Sequence, residues 1–312
     1  MKTAFLFTGQ GSQTVGMGKD IYEKYETARK VFDKASEISG IDVKNICFNG
    51  PEEELNKTEN TQIAILTTSL ALLKILEENG KKAEIAVGLS LGEYAALIYG
   101  GYITFEDGIK LIQKRGYYMG NFLPEEEYSM AAIIGLDSEK IEKICEEIRQ
   151  DGKFVVPANY NCKVQTVISG TSEAIDIAIE KLKEAGAKRA IKLKTSGPFH
   201  TEKLKQASTL FAKELEKVQF QKGNGIKVIK NIDGKPYTEQ DDVKEILKKH
   251  IISPVHFDET INTMLEMGID TFIEIGPGKT LSGFIKRTNK EVKVLNINNL
   301  TSLEDTLNYL KI

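Results

Sequence analysis

The segment Ala86-Val87-Gly88-Leu89-Ser90-Leu91-Gly92-Glu93-Tyr94-Ala95-Ala96-Leu97 sets a serine between two glycines, after an apolar run and before helix-like residues. A chain that passes from a buried strand straight into a helix leaves little space at the bend, and glycine is the residue that tolerates it. The GxSxG pattern lifts the Ser90 hydroxyl out of the sheet and aims it into a cleft. It also puts the Leu91 N–H beside a helix N-terminus, where negative charge is favoured. One short segment then supplies both an attacking oxygen and a donor for an oxyanion. The same five residues also fit an ordinary strand-to-helix turn with Ser90 as a helix cap. The motif therefore needs support from the rest of the chain.

That support begins with the order of the elements. Residues 3–7 are a wholly apolar strand running into the glycine-rich GQGSQTVGMG. Helical patterns cover about 21–39 and 62–78, a second buried strand covers 84–88, and helices follow at 93–98 and 104–122. Strands apolar on both faces, alternating with helices, predict a parallel sheet covered by helices. From Pro124 the texture changes. Strands at 130–136, 155–160, 165–170 and 190–193 and helices at 138–150 and 172–185 give the split βαβ order of a ferredoxin-like unit, its hairpin turning at 161–163. Asp137 or Ser138 caps the first of those helices. Helices at 202–218, 238–250, 257–267 and 280–287 and strands at 226–231, 270–276 and 292–296 complete the chain. The fold class expected is α/β: a large α/β-hydrolase-like domain with a central parallel sheet (residues 1–124 and 198–312) carrying an inserted ferredoxin-like α+β subdomain (residues 125–197).

Composition narrows the function classes. The 42 basic and 45 acidic residues leave a net charge of −3, which argues against nucleic-acid binding by an overall field. No run of about 18 apolar residues exists, so no membrane span is expected. Cys47, Cys145 and Cys162 share neither a disulfide framework nor metal-ligand spacing, and a reducing cytoplasm is the simplest setting. No metal site is expected from three scattered histidines.

A serine nucleophile needs a base, and the candidates are His200, His250 and His256. His200 leads, because it follows a Ser-Gly-Pro-Phe turn directly before a helix; His250 ends a charged helix and His256 precedes an aromatic residue. No acid is singled out as a third member. The glycine-rich start is neither GxGxxG nor a P-loop, although a bend near Gln10 can present backbone donors. Arg115 sits mid-helix among apolar neighbours, and if buried it demands an anion, which its planar fork grips with two parallel bonds.

Taken together, FTGQGSQTVGMG, VGLSLGEYAAL, QKRG with Arg115, GPFH ending at His200, ISPVHF and FIEIGPGKTLSG resemble, in that order and over nearly the whole chain, the malonyl-CoA:acyl-carrier-protein transacylases of bacterial fatty-acid synthesis. The resemblance implies a ping-pong transfer through a malonyl-serine, with Ser90 as nucleophile and His200 as base. It implies an oxyanion hole from the Gln10 and Leu91 amides, a carboxylate clamp at Arg115, pocket residues Gln62 and Phe199, and a carbonyl at or near His250 that orients His200. Malonyl-CoA is then a substrate and no cofactor is expected; acyl carrier protein is the partner and a monomer the expected state. The Phe199 ring resembles the malonyl-selective form over the one that admits methylmalonyl. Leu89 departs from the family, many members of which have histidine before the nucleophile. An acidic carrier calls for a basic cleft mouth, for which Lys163, Lys188, Arg189, Lys192, Lys194, Lys279, Lys286 and Arg287 are candidates.

Overall fold

A computed structural model describes residues 2–193, 195 and 197–310. Its strands are β1 (Thr3–Phe7), β2 (Ile85–Gly88), β3 (Tyr128–Ile134), β4 (Val155–Cys162), β5 (Gln165–Thr171), β6 (Arg189–Leu193), β7 (Lys227–Val228), β8 (Val255–His256), β9 (Thr271–Ile275) and β10 (Lys293–Ile297). Five of them form a wholly parallel sheet in the order β10-β9-β1-β2-β7. Every residue of β1, β2 and β9 is buried, as strands covered by helices on both faces must be. The helix Thr58–Glu78 is buried on nearly all sides and packs most closely on the helix Phe105–Asn121, which carries Arg115.

The second sheet has the order β6-β3-β5-β4-β8. Strands β3 to β6 pair antiparallel in the ferredoxin-like order, with the helices Ser138–Gln150 and Ser172–Glu184 burying their apolar stripes against them. Asp137 is the cap of the first, accepting from the Glu139 amide. β8 adds a parallel pairing to β4, and His256 at its end stacks on Tyr160 with ring centroids 4.9 Å apart. The His256 N–H donates at 2.7 Å to the carbonyl of Asn231, just past β7, and so links this sheet to the chain leaving the first.

Several elements differ from the periodicity reading. The expected helix over 21–39 is broken at Tyr25, whose extended backbone separates Lys19–Lys24 from Glu26–Ser39. Asp242, with its side chain accepting from the Lys244 and Glu245 amides, delays the start of the helix before His250 to Val243. The hairpin turn shifts to Lys163-Val164, because β4 runs on to Cys162 through bulges. The expected strand over 226–231 pairs only at Lys227–Val228. Beyond Ile229, whose amide still bonds the Ala86 carbonyl, a side chain takes over the ladder: Asn231 Nδ2 donates to the Gly88 carbonyl at 2.7 Å. Helices Val43–Asn49, Glu52–Leu55 and Leu300–Tyr309 were not anticipated; the last opens on a capping box of Asn299 and Ser302.

The strand-to-helix bend depends on close backbone approach. A Cβ on Gly92 would lie 2.3 Å from the Phe7 carbonyl oxygen, and one on Gly88 1.9 Å from the Gly92 carbonyl carbon. Gly92→Ala should therefore lower stability by at least about 2 kcal/mol, as overpacking against fixed backbone does. Gly120→Ala is the control, since its new methyl meets nothing nearer than Thr58 Cβ at 3.4 Å, an ordinary van der Waals contact. Urea unfolding distinguishes them: a reduced midpoint for Gly92→Ala alone is expected, and equal midpoints would contradict the steric account.

Candidate active site

Ser90 lies at the apex of that bend with φ of 54°, in the left-handed region that L-residues avoid. His200 is the only other non-glycine residue with positive φ among the described residues, at 59°. Both strained residues face one another: Ser90 Oγ is 2.8 Å from His200 Nε2. His200 Nδ1 is 3.0 Å from the His250 carbonyl oxygen, which can only accept, so Nδ1 carries the proton and Nε2 offers its lone pair to the Ser90 hydroxyl. The orienting group is thus a backbone carbonyl. Of the three histidines, His200 reaches the serine, His250 holds it, and His256 stands apart on Tyr160.

Arg115 completes the centre. It is 1% exposed, yet no carboxylate lies within ion-pair distance of it among the described residues. Its Nη1 donates to Gln62 Oε1 at 2.8 Å, its Nη2 to Ser90 Oγ at 3.2 Å, and its guanidinium carbon lies 5.7 Å from the centre of the Tyr94 ring. Its Nε has no partner. A buried cation with so little compensation is costly unless an anion visits it. Gln62 is held in turn by a contact from Nε2 to Met119 Sδ at 3.6 Å.

The electrostatics follow from this packing. Burial first, and the neighbouring Arg115 charge second, depress His200 to about 3, outweighing the carbonyls of His250 and Ser253. The resting imidazole is neutral and ready to accept a proton. Burial also holds His250 well below the ordinary histidine value, so two stacked rings 5.1 Å apart are both uncharged. Glu93, fully buried on the helix after the bend, is pushed up to about 7 by desolvation, against the pull of its bonds from Tyr237 and Asn231.

These groups open into a cleft of about 510 Å³ between the two sheets. Gln10, Leu89, Ser90, Gln62, Met119, Phe199 and His200 line its floor, and Met130, Asn159, Asn161, Gln165 and Val167 line the opposite wall. The Gln10 and Leu91 amides donate to no acceptor within the described residues, while the Gln10 side chain is anchored on Thr58 Oγ1 at 3.3 Å. Leu89 packs against the Gly9 backbone. Of the eight site residues the resemblance implies, Gln10, Gln62, Ser90, Phe199 and His200 line this cleft, while Arg115 touches Ser90, His250 touches His200 and Leu91 follows Ser90 in the chain, all three outside the lining. Sequence reasoning missed Asn231, Tyr237 and Glu93. Asn231 braces the bend by accepting the Ser90 N–H at 2.8 Å. A glutamate inside the apolar helical run after GxSxG was the one available signal.

The acyl transferase domain model matches residues 4–305. Over 310 residues the chain is 42% identical to the malonyl CoA-acyl carrier protein transacylase of Bacillus subtilis (strain 168), covering 99% of this chain and 98% of that protein. The chain belongs to this transacylase family. It superposes with a TM-score of 0.95 on the crystal structure of the malonyl CoA-acyl carrier protein transacylase from Clostridium perfringens ATCC 13124, at 47% identity, covering 100% of this chain and 98% of that one. At 37% identity and a TM-score of 0.94 it matches a malonyl-transacylase solved in complex with its type II PKS acyl-carrier protein, covering 99% and 100% of the two chains. This acyltransferase brings the strained serine, the histidine and the buried arginine into contact at one centre.

The depressed His200 value sets a pH dependence. A lowered pKa keeps the base unprotonated below 6.5, so Ser90 reactivity toward a neutral fluorophosphonate should persist there and fade only as pH falls toward 3. Arg115→Gln removes one of the two depressing causes and should move the midpoint upward. A wild-type midpoint at 6.5, or no movement in the variant, would contradict this electrostatic reading.

Proposed function

We propose that the protein transfers malonyl from malonyl-CoA to the phosphopantetheine thiol of acyl carrier protein through a malonyl-Ser90 ester. The observation that carries this reading is the buried Arg115, without a carboxylate partner, with one guanidinium nitrogen 3.2 Å from the nucleophile oxygen. A substrate whose acyl group ends in a carboxylate supplies the missing anion.

In the first half-reaction the Ser90 proton passes to His200 Nε2 as Oγ attacks the thioester carbonyl. The free amides of Gln10 and Leu91 are suited to hold the oxyanion. The carbon–sulfur bond then breaks, and the leaving CoA sulfur takes the proton from Nε2. In the second half the pantetheine thiol gives its proton to Nε2 and attacks the ester, and Ser90 Oγ leaves with that proton. Two half-reactions at one centre make the kinetics ping-pong.

The arginine does more than bind. Its charge disfavours an imidazolium beside it. A malonyl carboxylate neutralises that charge, so the substrate removes the obstacle to protonating His200 at the moment of attack. Acetyl-CoA leaves the cation unpaired and the obstacle in place. The ring of Phe199, buried on the cleft floor, limits space at the acyl carbon and favours malonyl over methylmalonyl.

An acidic carrier partner would meet exposed basic side chains. Lys163, Lys188, Arg189, Lys192, Lys279, Lys286 and Arg287 are exposed, and Arg287 is tied to the cleft residue Gln165 at 2.9 Å; Lys194 lies outside the described residues. Lys192 is paired with Asp176, which leaves the others freer to meet an acidic partner.

Intact mass measurement after mixing with malonyl-CoA should reveal an adduct of about 86 Da, the malonyl increment of a serine ester. Ser90→Ala should abolish it; an adduct surviving in that variant would overturn the assignment. Arg115→Ala should reduce malonyl transfer roughly a hundredfold more than acetyl transfer, the scale of an uncompensated ionic contact. Equal losses for the two would place carboxylate recognition elsewhere.

A further inference from the structure

The catalytic pair lacks an acid, yet a wholly buried carboxylate stands close behind it. Glu93 Oε1 accepts from the Tyr237 hydroxyl at 2.6 Å, and Oε2 accepts from the Asn231 amide at 3.3 Å. The same Oε2 lies 3.2 Å from His250 Nδ1, at an angle that leaves both His250 ring nitrogens without a hydrogen bond. Asn231 reaches the nucleophile side, accepting the Ser90 N–H at 2.8 Å and donating to the Gly88 carbonyl at 2.7 Å. His250 reaches the base side, where its carbonyl holds His200 Nδ1 at 3.0 Å and its ring stacks on the His200 ring. Glu93 therefore touches both supports.

We infer that Glu93 is a positioning residue for both halves of the catalytic pair, bracing the Ser90 bend through Asn231 and the His200 ring through His250. The inference rests on the Ser90–His200 reading above. Its physical basis is the strain at both partners: φ of 54° at Ser90 and 59° at His200 persist only where surrounding contacts over-determine them. A loop of two-residue β7 and irregular backbone follows on one side, and a helix end lies on the other. A common buried anchor registers one against the other. Desolvating a carboxyl is costly, and this one is retained with its oxygens directed at Tyr237, Asn231 and His250.

Position, and not net charge, is the property required. A glutamine can give its amide oxygen to the Asn231 N–H and its amide N–H to the Tyr237 hydroxyl, which accepts as well as donates. Glu93→Met, of similar volume, offers neither. The test is the pre-steady-state rate of malonyl-adduct formation across malonyl-CoA concentrations. Glu93→Met should lower the maximal rate about a hundredfold, the scale of a small misplacement of reacting groups, with half-saturation within about twofold because the Arg115 side chain makes its hydrogen bonds to Gln62 and Ser90 and none to Glu93. Glu93→Gln should recover the rate to within about tenfold of wild type. A wild-type rate for Glu93→Met, a loss confined to half-saturation, or a Gln variant as slow as Met would overturn the inference. If Glu93→Met does not fold, Asn231→Ala carries the same test on the nucleophile side, and a wild-type rate there overturns it equally. Absence of any adduct in the wild-type protein would instead refute the malonyl-serine reading and leave the role of Glu93 distinct from that failure.

Discussion

The structure turns on a single backbone contact, the approach of the Gly88–Gly92 bend to its own helix and to the end of β1. Any Cβ at either glycine would intrude on backbone atoms, and between the two glycines Ser90 sits in the left-handed region. Strain of this kind costs about 1–3 kcal/mol per residue and survives only when neighbours hold it. Here the neighbours are specific. Asn231 replaces the next rung of the β2–β7 ladder with its side chain, and so uses a truncated strand to fasten the bend. The shortness of β7 is thus part of the site.

Charge placement is the second organising feature. A guanidinium buried without a carboxylate and an imidazole held neutral beside it form a centre that is electrostatically incomplete when empty. Burial lowers the affinity of Arg115 for its proton without removing the charge, since arginine stays protonated in proteins. A backbone carbonyl, in place of an acid, fixes the His200 tautomer. In the proposed reaction the incoming carboxylate would supply the negative charge that a triad carries within the protein. Specificity and catalysis then share one interaction.

Much of this was legible from the residues. GxSxG between an apolar strand and a helix located Ser90, and the alternation of strands and helices foretold both sheets, down to the ferredoxin-like order of the second. Periodicity failed at particular positions, two of them where a short polar side chain overrides it. Asp242 delayed a helix, Tyr25 broke one, and Asn231 ended a strand that its apolar neighbours would have continued. The base could be favoured but not settled, because His200 and His250 meet only through tertiary folding, 50 positions apart. Glu93 and Tyr237, 144 positions apart, gave no pattern at all, since a buried polar network has no period.

The most direct measurement is a crystal structure of the protein reacted with malonyl-CoA in the absence of a thiol acceptor. The account requires continuous density from Ser90 Oγ into a malonyl ester, with its terminal carboxylate on the Arg115 guanidinium and its ester oxygen at the Gln10 and Leu91 amides. An unmodified Ser90, or an ester whose carboxylate turns away and leaves Arg115 without an anion, would contradict it.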